Sequence, residues 1–490
     1  MSSYVPTVAV KLFIDKEKQR VLFAESDKDF VDVLFSFWTL PLGTIVWLLG
    51  KQSGVGCLDE VYKSVESLKL EHFQTKACKT MLLEPLSSTA TQCGRLKVKI
   101  DNTNPRSIYV CRSTTCHERV FSSVHNAICK SCKGLQRMLR ELPRNGNAAV
   151  GYDADGGFVK SGPTLIITDD LQVAPASTCL VFSLLEKFGL NERADIKEEF
   201  LHLDYSKVIS LLNRTLISKE PLTGLYFDTV ATPDVVPVSL DELPANMFPK
   251  EESNDAHKLN VIKIKLIQTA DNSAVLYAEV GQDFIDLIFG LLGFPLGSII
   301  KCYGQWPTNG CVDNLYLSVE GSARECIRED CQNLLLSPKL APFFGCSIKA
   351  LQVEESNPRS VLLDKCFQCF KAGGDKKCTC SSYIHRCHVF YETNLKSMSG
   401  VHDTSRAYIK AGLRNFIVTD DLRILHFSLA NTLQSHACMS ASNIPKEKLV
   451  EKELSLDRNQ VLKILRAAIA TREALSNVLL PPKMKRLPHQ

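Results

Sequence analysis

The feature that most constrains this chain is a repeat. Over more than fifty residues the sequence matches itself at a constant offset of 254, without a gap. Lys11 pairs with Lys265, "VLFAE" (21–25) with "VLYAE" (275–279), "DFVD" (29–32) with "DFID" (283–286), and "PLGTI" (41–45) with "PLGSI" (295–299). Gly56-Cys57 returns as Gly310-Cys311, and "YKSVE" (62–66) as "YLSVE" (316–320). With small indels the match continues through "NPRS" (104–107 and 357–360), "IITDDL" (166–171) with "IVTDDL" (417–422), and "LDYSKVISLL" (203–212) with "LDRNQVLKIL" (456–465). The 490 residues therefore read as two copies of one unit, at 1–227 and 259–481. A chain of that length exceeds a single ordinary core, which agrees. Between the copies, residues 228–258 hold four prolines and no apolar periodicity, the pattern of an extended linker. A disordered tail is expected at 482–490.

The repeat bears on the most apolar stretch, "VDVLFSFWTLPLGTIVWLL" (31–49), which carries no charge from Val33 to Leu49. Its counterpart in the second copy is uncharged only from Leu287 to Ile300 before Lys301 intervenes. Fourteen residues make about 21 Å of helix, short of a hydrocarbon core of about 30 Å. Both copies also place Pro and Gly mid-run, at Pro41/Gly43 and Pro295/Gly297. Proline opens helices and breaks their interiors. The reading is two short buried helices, with "PLG" opening the second, and no membrane insertion.

Each copy begins with β-rich runs around a polar turn, as in "VKLFID-KEKQ-RVLFAE", which predicts a hairpin. The spacing of Leu58, Val61, Tyr62, Val65 and Leu68 predicts a helix. Strand-like "RLKVKI" and "SIYVC" precede a cysteine cluster, and "TLIITDD" leads to a final helix at "SKVISLLNRTLIS". Strands and helices mix without regular βαβ alternation, so the expected class is α+β. The expected architecture is two tandem homologous domains, each a small mixed sheet with packed helices and a zinc-ribbon-like cysteine cluster.

The blocks "KLFIDKEKQRVLFAESDKDFVDVLFSF" and "TLPLGTI", the paired cysteines and "TDDL" resemble the plant family catalogued as domain of unknown function 674. The resemblance covers nearly the whole chain in both copies. It implies a plant origin and a two-copy architecture, and brings no reaction. It also implies a Cys-x-x-Cys pair followed by Cys-x-Cys-Gly. The second copy meets that spacing, with Ser381 in place of the glycine, while the first has a wider leading pair.

Nineteen cysteines in a chain whose N-terminus, "MSSYVPTVAV", shows no secretory signal argue for thiols or metal ligands rather than disulfides. The expected location is cytoplasmic, with the nucleus left open. Cys111, Cys116, Cys129 and Cys132 are spaced Cys-x4-Cys-x12-Cys-x2-Cys. Cys366, Cys369, Cys378 and Cys380 are spaced Cys-x2-Cys-x8-Cys-x-Cys, with His385, Cys387 and His388 beyond. Two close pairs supply the four soft ligands of a structural zinc ion at little chain-entropy cost, and four thiolates leave no open position for catalysis. The competing reading is a set of reduced, partly buried thiols. The recurring Cys57/Cys311 and Cys93/Cys346 read as core packing.

No HExxH, Walker loop or nucleophile elbow occurs, and "GVGCLD" lacks the third glycine of a dinucleotide fingerprint. The duplicated "TDD" could suggest paired carboxylates, but adjacent strand residues point to opposite faces. A turn with aspartates capping free N–H groups is favoured. A net charge of +4 is nearly neutral, yet residues 111–140 carry +5 and residues 365–388 carry +4. Those basic segments would suit nucleic acid or an acidic partner, or would offset the negative charge of a four-thiolate zinc site. The function expected is therefore non-enzymatic: structural zinc sites in a protein that binds another macromolecule, with nucleic acid less favoured. The alternative is an unrecognised enzyme with a pocket between the repeats.

Overall fold

The computed structural model describes residues 5–101, 103–104, 107–111, 118–133, 137–141, 156–189, 196–230, 261–364, 387–397, 406–412, 416–428 and 449–481. Most of the expected linker and all of the tail at 482–490 lie outside the described residues. The first half runs β1 (Val8–Asp15), β2 (Arg20–Ser26), α1 (Lys28–Thr39), α2 (Leu42–Leu48), α3 (Leu58–Ser67), α4 (Lys76–Leu83) and α5 (Ala90–Cys93). It continues through β3 (Ser107–Val110), β4 (Val120–Ser122), β5 (Arg137–Glu141), β6 (Leu165–Thr168), β7 (Val173–Pro175), α6 (Thr178–Phe188), β8 (Ile196–Leu203), α7 (Tyr205–Ile217) and α8 (Pro221–Tyr226). The second half runs β9 (Ile262–Thr269), β10 (Val275–Val280), α9 (Gln282–Gly290), α10 (Leu296–Tyr303), α11 (Val312–Glu320) and α12 (Glu329–Leu336). It ends with β11 (Ser360–Asp364), β12 (Cys387–Glu392), β13 (Phe416–Thr419), β14 (Ile424–His426), β15 (Leu449–Leu456), α13 (Arg458–Ala470) and α14 (Ala474–Leu479).

Helices and sheets are segregated without βαβ alternation, so the class is α+β. Each half forms its own five-stranded sheet in the same order, β7-β6-β2-β1-β8 and β14-β13-β10-β9-β15. The hairpin read from "KEKQ" is β1–β2, antiparallel with Lys11 opposite Glu25. Residues 96–100 of "RLKVKI" bury Leu96, Val98 and Ile100 in alternation, yet form no ladder. Period two was satisfied there by packing, with no ladder partner among the described residues.

"PLG" does open a helix in both halves. Pro41 and Pro295 are the residues before α2 and α10, with φ of −61° and −62°. The first N–H of each helix has no intrahelical acceptor. Here each finds one in the other half: Leu42 N–H donates to the Phe294 carbonyl and Leu296 N–H to the Leu40 carbonyl, both at 2.9 Å. No helix among the described residues is long and apolar enough to cross a membrane.

The same exchange recurs outward from that point. Cys57 N–H donates to the Ala468 carbonyl (2.7 Å) at α13, and Cys311 N–H to the Thr215 carbonyl (3.0 Å) at α7. The Ser64 hydroxyl oxygen accepts from Ile424 N–H (2.9 Å), and that of Ser318 from Val173 N–H (2.8 Å). Thus α3 packs on the second sheet and α11 on the first. Trp38, fully buried, stacks on Tyr316 with centroids 5.2 Å apart and donates its indole N–H to the Leu335 carbonyl (2.7 Å). One hydrophobic core spans both halves.

Two carboxylates hold loops against this core. Asp32, on α1, accepts from the N–H groups of Gly157, Phe158 and Val159 at 2.6–2.9 Å. Burial pushes its carboxyl up to about 6 despite those bonds. Asp286, its repeat partner, accepts from Ser347 and from Tyr408 N–H. Above the Tyr408 ring, 3.6 Å from its centroid, lies the ammonium of Lys396, which is fully buried and bonded to the carbonyls of Gly345 and Arg406.

Two expectations follow from the exchanged packing and the buried lysine. A Cβ on Gly310 would lie 2.4 Å from the Leu216 carbonyl oxygen, whereas one on Gly281 would meet nothing within 4 Å. Gly310→Ala should cost about 1–3 kcal/mol and Gly281→Ala under about 0.5. Fluorescence and circular dichroism should report one shared urea transition, and a split in which Gly310→Ala moves only one half would contradict the exchange. Burial lowers Lys396 to about 8, opposed by Asp286, Cys346, Cys78 and Glu355. Between that value and its ordinary 10.5 the unfolded chain holds the extra proton, so this lysine's contribution to stability rises with pH through that window. The difference in unfolding free energy between wild type and Lys396→Met should be flat below pH ~8 and then grow in favour of wild type. A pH-independent difference would show that the ammonium is not desolvated.

Candidate metal centre

The third sheet takes strands from both halves, in the order β11-β12-β4-β3-β5. β4 meets β12 in parallel, with Val120 opposite Tyr391 and Phe121 opposite Glu392. Its covered side is a small cluster of Ile108, Val110, Phe121 and Phe390, drawn from both halves. A thin patch of this size buries little apolar area, so it gains most from an additional tie.

Cysteines stand where that tie would be. β3 runs directly into Cys111, and the turn after β4 brings round Cys129 and Cys132. Lys133 N–H donates to the Cys129 carbonyl (2.9 Å), and Lys133 itself adopts the left-handed conformation that closes this turn. The Ser131 hydroxyl donates to Glu118 (2.5 Å), which fastens the turn to the segment entering β4. The Sγ atoms of Cys111, Cys129 and Cys132 all lie within 4.8 Å of one another, and those of Cys111 and Cys132 are 3.2 Å apart. Tetrahedral zinc with bonds of about 2.3 Å sets its sulfurs about 3.8 Å apart, so the group could hold a metal ion. Cys111 and Cys129 are buried, and Cys132 is open to solvent.

Of the eight ligands read from spacing, three are thus brought together. Cys116, the fourth of its set, lies outside the described residues, as do Cys366, Cys369, Cys378 and Cys380 between β11 and β12. Cys57, Cys311, Cys93 and Cys346 are buried in the core, and burial pushes all four thiols up. Cys57 donates to the Thr471 carbonyl (3.0 Å), a packing role across the halves.

The "TDD" segments form turns. Asp169 accepts from Leu222 N–H and Thr223 N–H, both at 2.9 Å, at the start of α8. Asp420 accepts from Ser476 N–H (2.8 Å) in α14. The neighbouring Asp170 and Asp421 instead bond the hydroxyls of Thr168 and Thr419. Burial raises Asp169 to about 6 and raises Asp420 as well, but each faces a helix start rather than its neighbour's carboxylate.

Sequence reasoning passed over a cleft of about 450 Å³ between α2, the loop after α4 and the third sheet. Trp47, Asp101, Tyr109 and His125 line it. The one available signal was Trp47 itself, which pairs with Lys301 at the 254 offset inside an otherwise apolar match.

No curated protein and no solved structure matches the chain. A family model does, over residues 5–371 and again over 360–489, which covers most of the sequence and both halves. The chain belongs to the family described as "Protein of unknown function (DUF674)".

Proposed function

We propose that this chain is a non-enzymatic binding protein whose two halves are tied across a zinc-stabilised third sheet. The observation that carries this reading is the convergence of Cys111, Cys129 and Cys132 within 4.8 Å beside the ends of β3 and β4 in that sheet. Thiolates select zinc among common divalent ions, and Cys116 would complete four ligands, a closed shell suited to structure rather than catalysis. The spacing of Cys366, Cys369, Cys378 and Cys380 supports a second ion in the β11–β12 connection. A macromolecular partner is supported by the sheet's open side. There Leu362 (68% exposed) and Tyr391 (60%) stand with Val389 on the face opposite the Phe121–Phe390 cluster. Adjacent exposed apolar side chains of that kind mark contact surfaces.

Metal analysis on protein purified without a histidine tag or added zinc tests the reading. It should return one to two equivalents of zinc, and Cys129→Ser should lower the content by about one. Protease sensitivity should then rise within 107–141 while the exchanged helices stay intact, because the metal is coupled to local folding. Zinc well below one equivalent, with Cys129→Ser indistinguishable from wild type, would reduce these residues to ordinary thiols. Binding of mixed nucleic-acid probes that weakens steeply with salt would put nucleic acid in place of a protein partner.

A further inference from the structure

The cleft beside Trp47 has features that the metal centre does not use. Its 450 Å³ volume falls in the range of small-molecule sites. A smaller cavity of about 180 Å³ continues it toward the second half, sharing Leu86, Thr103, Asn104, Ser107 and Ser123. At its far end stand Ser356, Asn357 and the Arg359–Glu392 ion pair (3.4 Å). The groove therefore runs from α2 across to β12.

We propose that this groove binds a small polyhydroxylated molecule, a mono- or disaccharide or its glycoside, stacked on Trp47. The wall is rich in hydroxyl and amide side chains, which both donate and accept, as sugar hydroxyls do. Two of its ionisable groups have partners within the wall: the His125 ring lies 3.5 Å from the Glu84 carboxylate, and Arg359 pairs with Glu392. An anion would meet three carboxylates, of Glu84, Asp101 and Glu392, whereas the hydroxyls of Thr44 and Thr103, which donate to the Pro85 carbonyl and to Asp101, keep oxygen lone pairs that can accept from a ligand hydroxyl. Asp101 borders the groove with one oxygen that lacks a donor and is closed off from solvent, so a ligand hydroxyl reaches it only with a small shift of the wall. One of its oxygens takes Thr103 N–H (2.8 Å) and hydroxyl (2.6 Å), while the other is buried with no partner among the described residues.

Trp47 is the platform. Trp38 and Trp306 are buried, but Trp47 is 46% exposed at the mouth of the groove. An exposed indole offers an apolar face to the C–H side of a pyranose ring while leaving its hydroxyls to the wall. The second half contains the counterpart cleft, about 460 Å³, with Ser298 in place of Thr44 and Lys301 in place of Trp47. There the Lys301 ammonium bonds the Ser337 hydroxyl, and Lys339 pairs with Glu354 (2.7 Å). One cleft has an aromatic platform where the other has a lysine.

Isothermal titration calorimetry on the full chain tests the site, with methyl glucoside, sucrose and cellobiose as probes and tryptamine and phosphate as contrasting arms. At least one saccharide should saturate with Kd near ~1 mM, a range that titration to ~10 mM resolves. Trp47→Lys, the residue the second half carries at this position, should abolish the heat, and Trp47→Phe should keep it within a few fold. Asp101→Asn should weaken binding about tenfold, since an amide N–H₂ would replace the unpartnered oxygen. Circular dichroism and zinc content establish that each variant is folded. The proposal is overturned by no saturable heat with any saccharide, by saturation unaffected by Trp47→Lys, or by tryptamine or phosphate saturating where the saccharides do not.

Discussion

Two peptide hydrogen bonds at the helix starts Leu42 and Leu296 organise the molecule. A proline before each helix fixes the backbone and contributes no donor, so the next N–H must look outside its own helix. In isolation that group would face apolar side chains, an expensive place for an unpaired amide. The carbonyls of Phe294 and Leu40 satisfy both donors at once, because the same local geometry occurs twice and meets itself. Self-complementary contacts of this kind are familiar from twofold dimers, where one patch serves both partners. Here the partners lie on one chain. The remaining crossings, of α3 onto β14 and of α11 onto β7, continue outward from that junction.

Much of each half was legible in its residues. The β1–β2 hairpin follows from alternating apolar residues around "KEKQ", and α3 from Leu58, Val61, Tyr62 and Val65 on one face. The reciprocal exchange was not. A repeat states that two similar helices and two similar sheets exist, and swapped or unswapped pairings bury the same apolar positions. Only contacts such as Cys57 to Ala468 distinguish them, and no local pattern encodes those. β8 was also hidden, because "IKEEFLHL" buries only Leu201 and Leu203, and the consecutive Glu198 and Glu199 put a carboxylate on each face and break the apolar alternation.

The candidate site was legible as a class of chemistry and not as a place. Close cysteine pairs announce soft ligands, but spacing alone does not say that Cys111 joins Cys129 and Cys132 beside the sheet shared by both halves. The cleft is harder still. Trp47, Asp101, Tyr109 and His125 come from four separate segments, each with an ordinary structural reason to exist. Tyr109 alternates along β3, and Asp101 secures the backbone of Thr103. Their convergence exists only once the third sheet is laid against α2 and α4.

The exchange of helices also sets a timetable. Cys57 is bonded to Thr471, 414 positions further along the chain. A ribosome adding about 5–20 residues per second needs roughly 20–80 s to cover that separation. Until then α3 has been made but its resting place, between the second sheet and α13, is incomplete. Val61 and Val65 must wait, exposed to water or to a chaperone. The first half cannot finish folding as it emerges, and closure of the core falls to the last helices synthesised. Closing loops this long is slow and entropically costly. The vulnerable period of this protein is therefore its synthesis, and a ribosome stalled before residue 424 would present α3 without the strand of the second sheet or the helix that cover it.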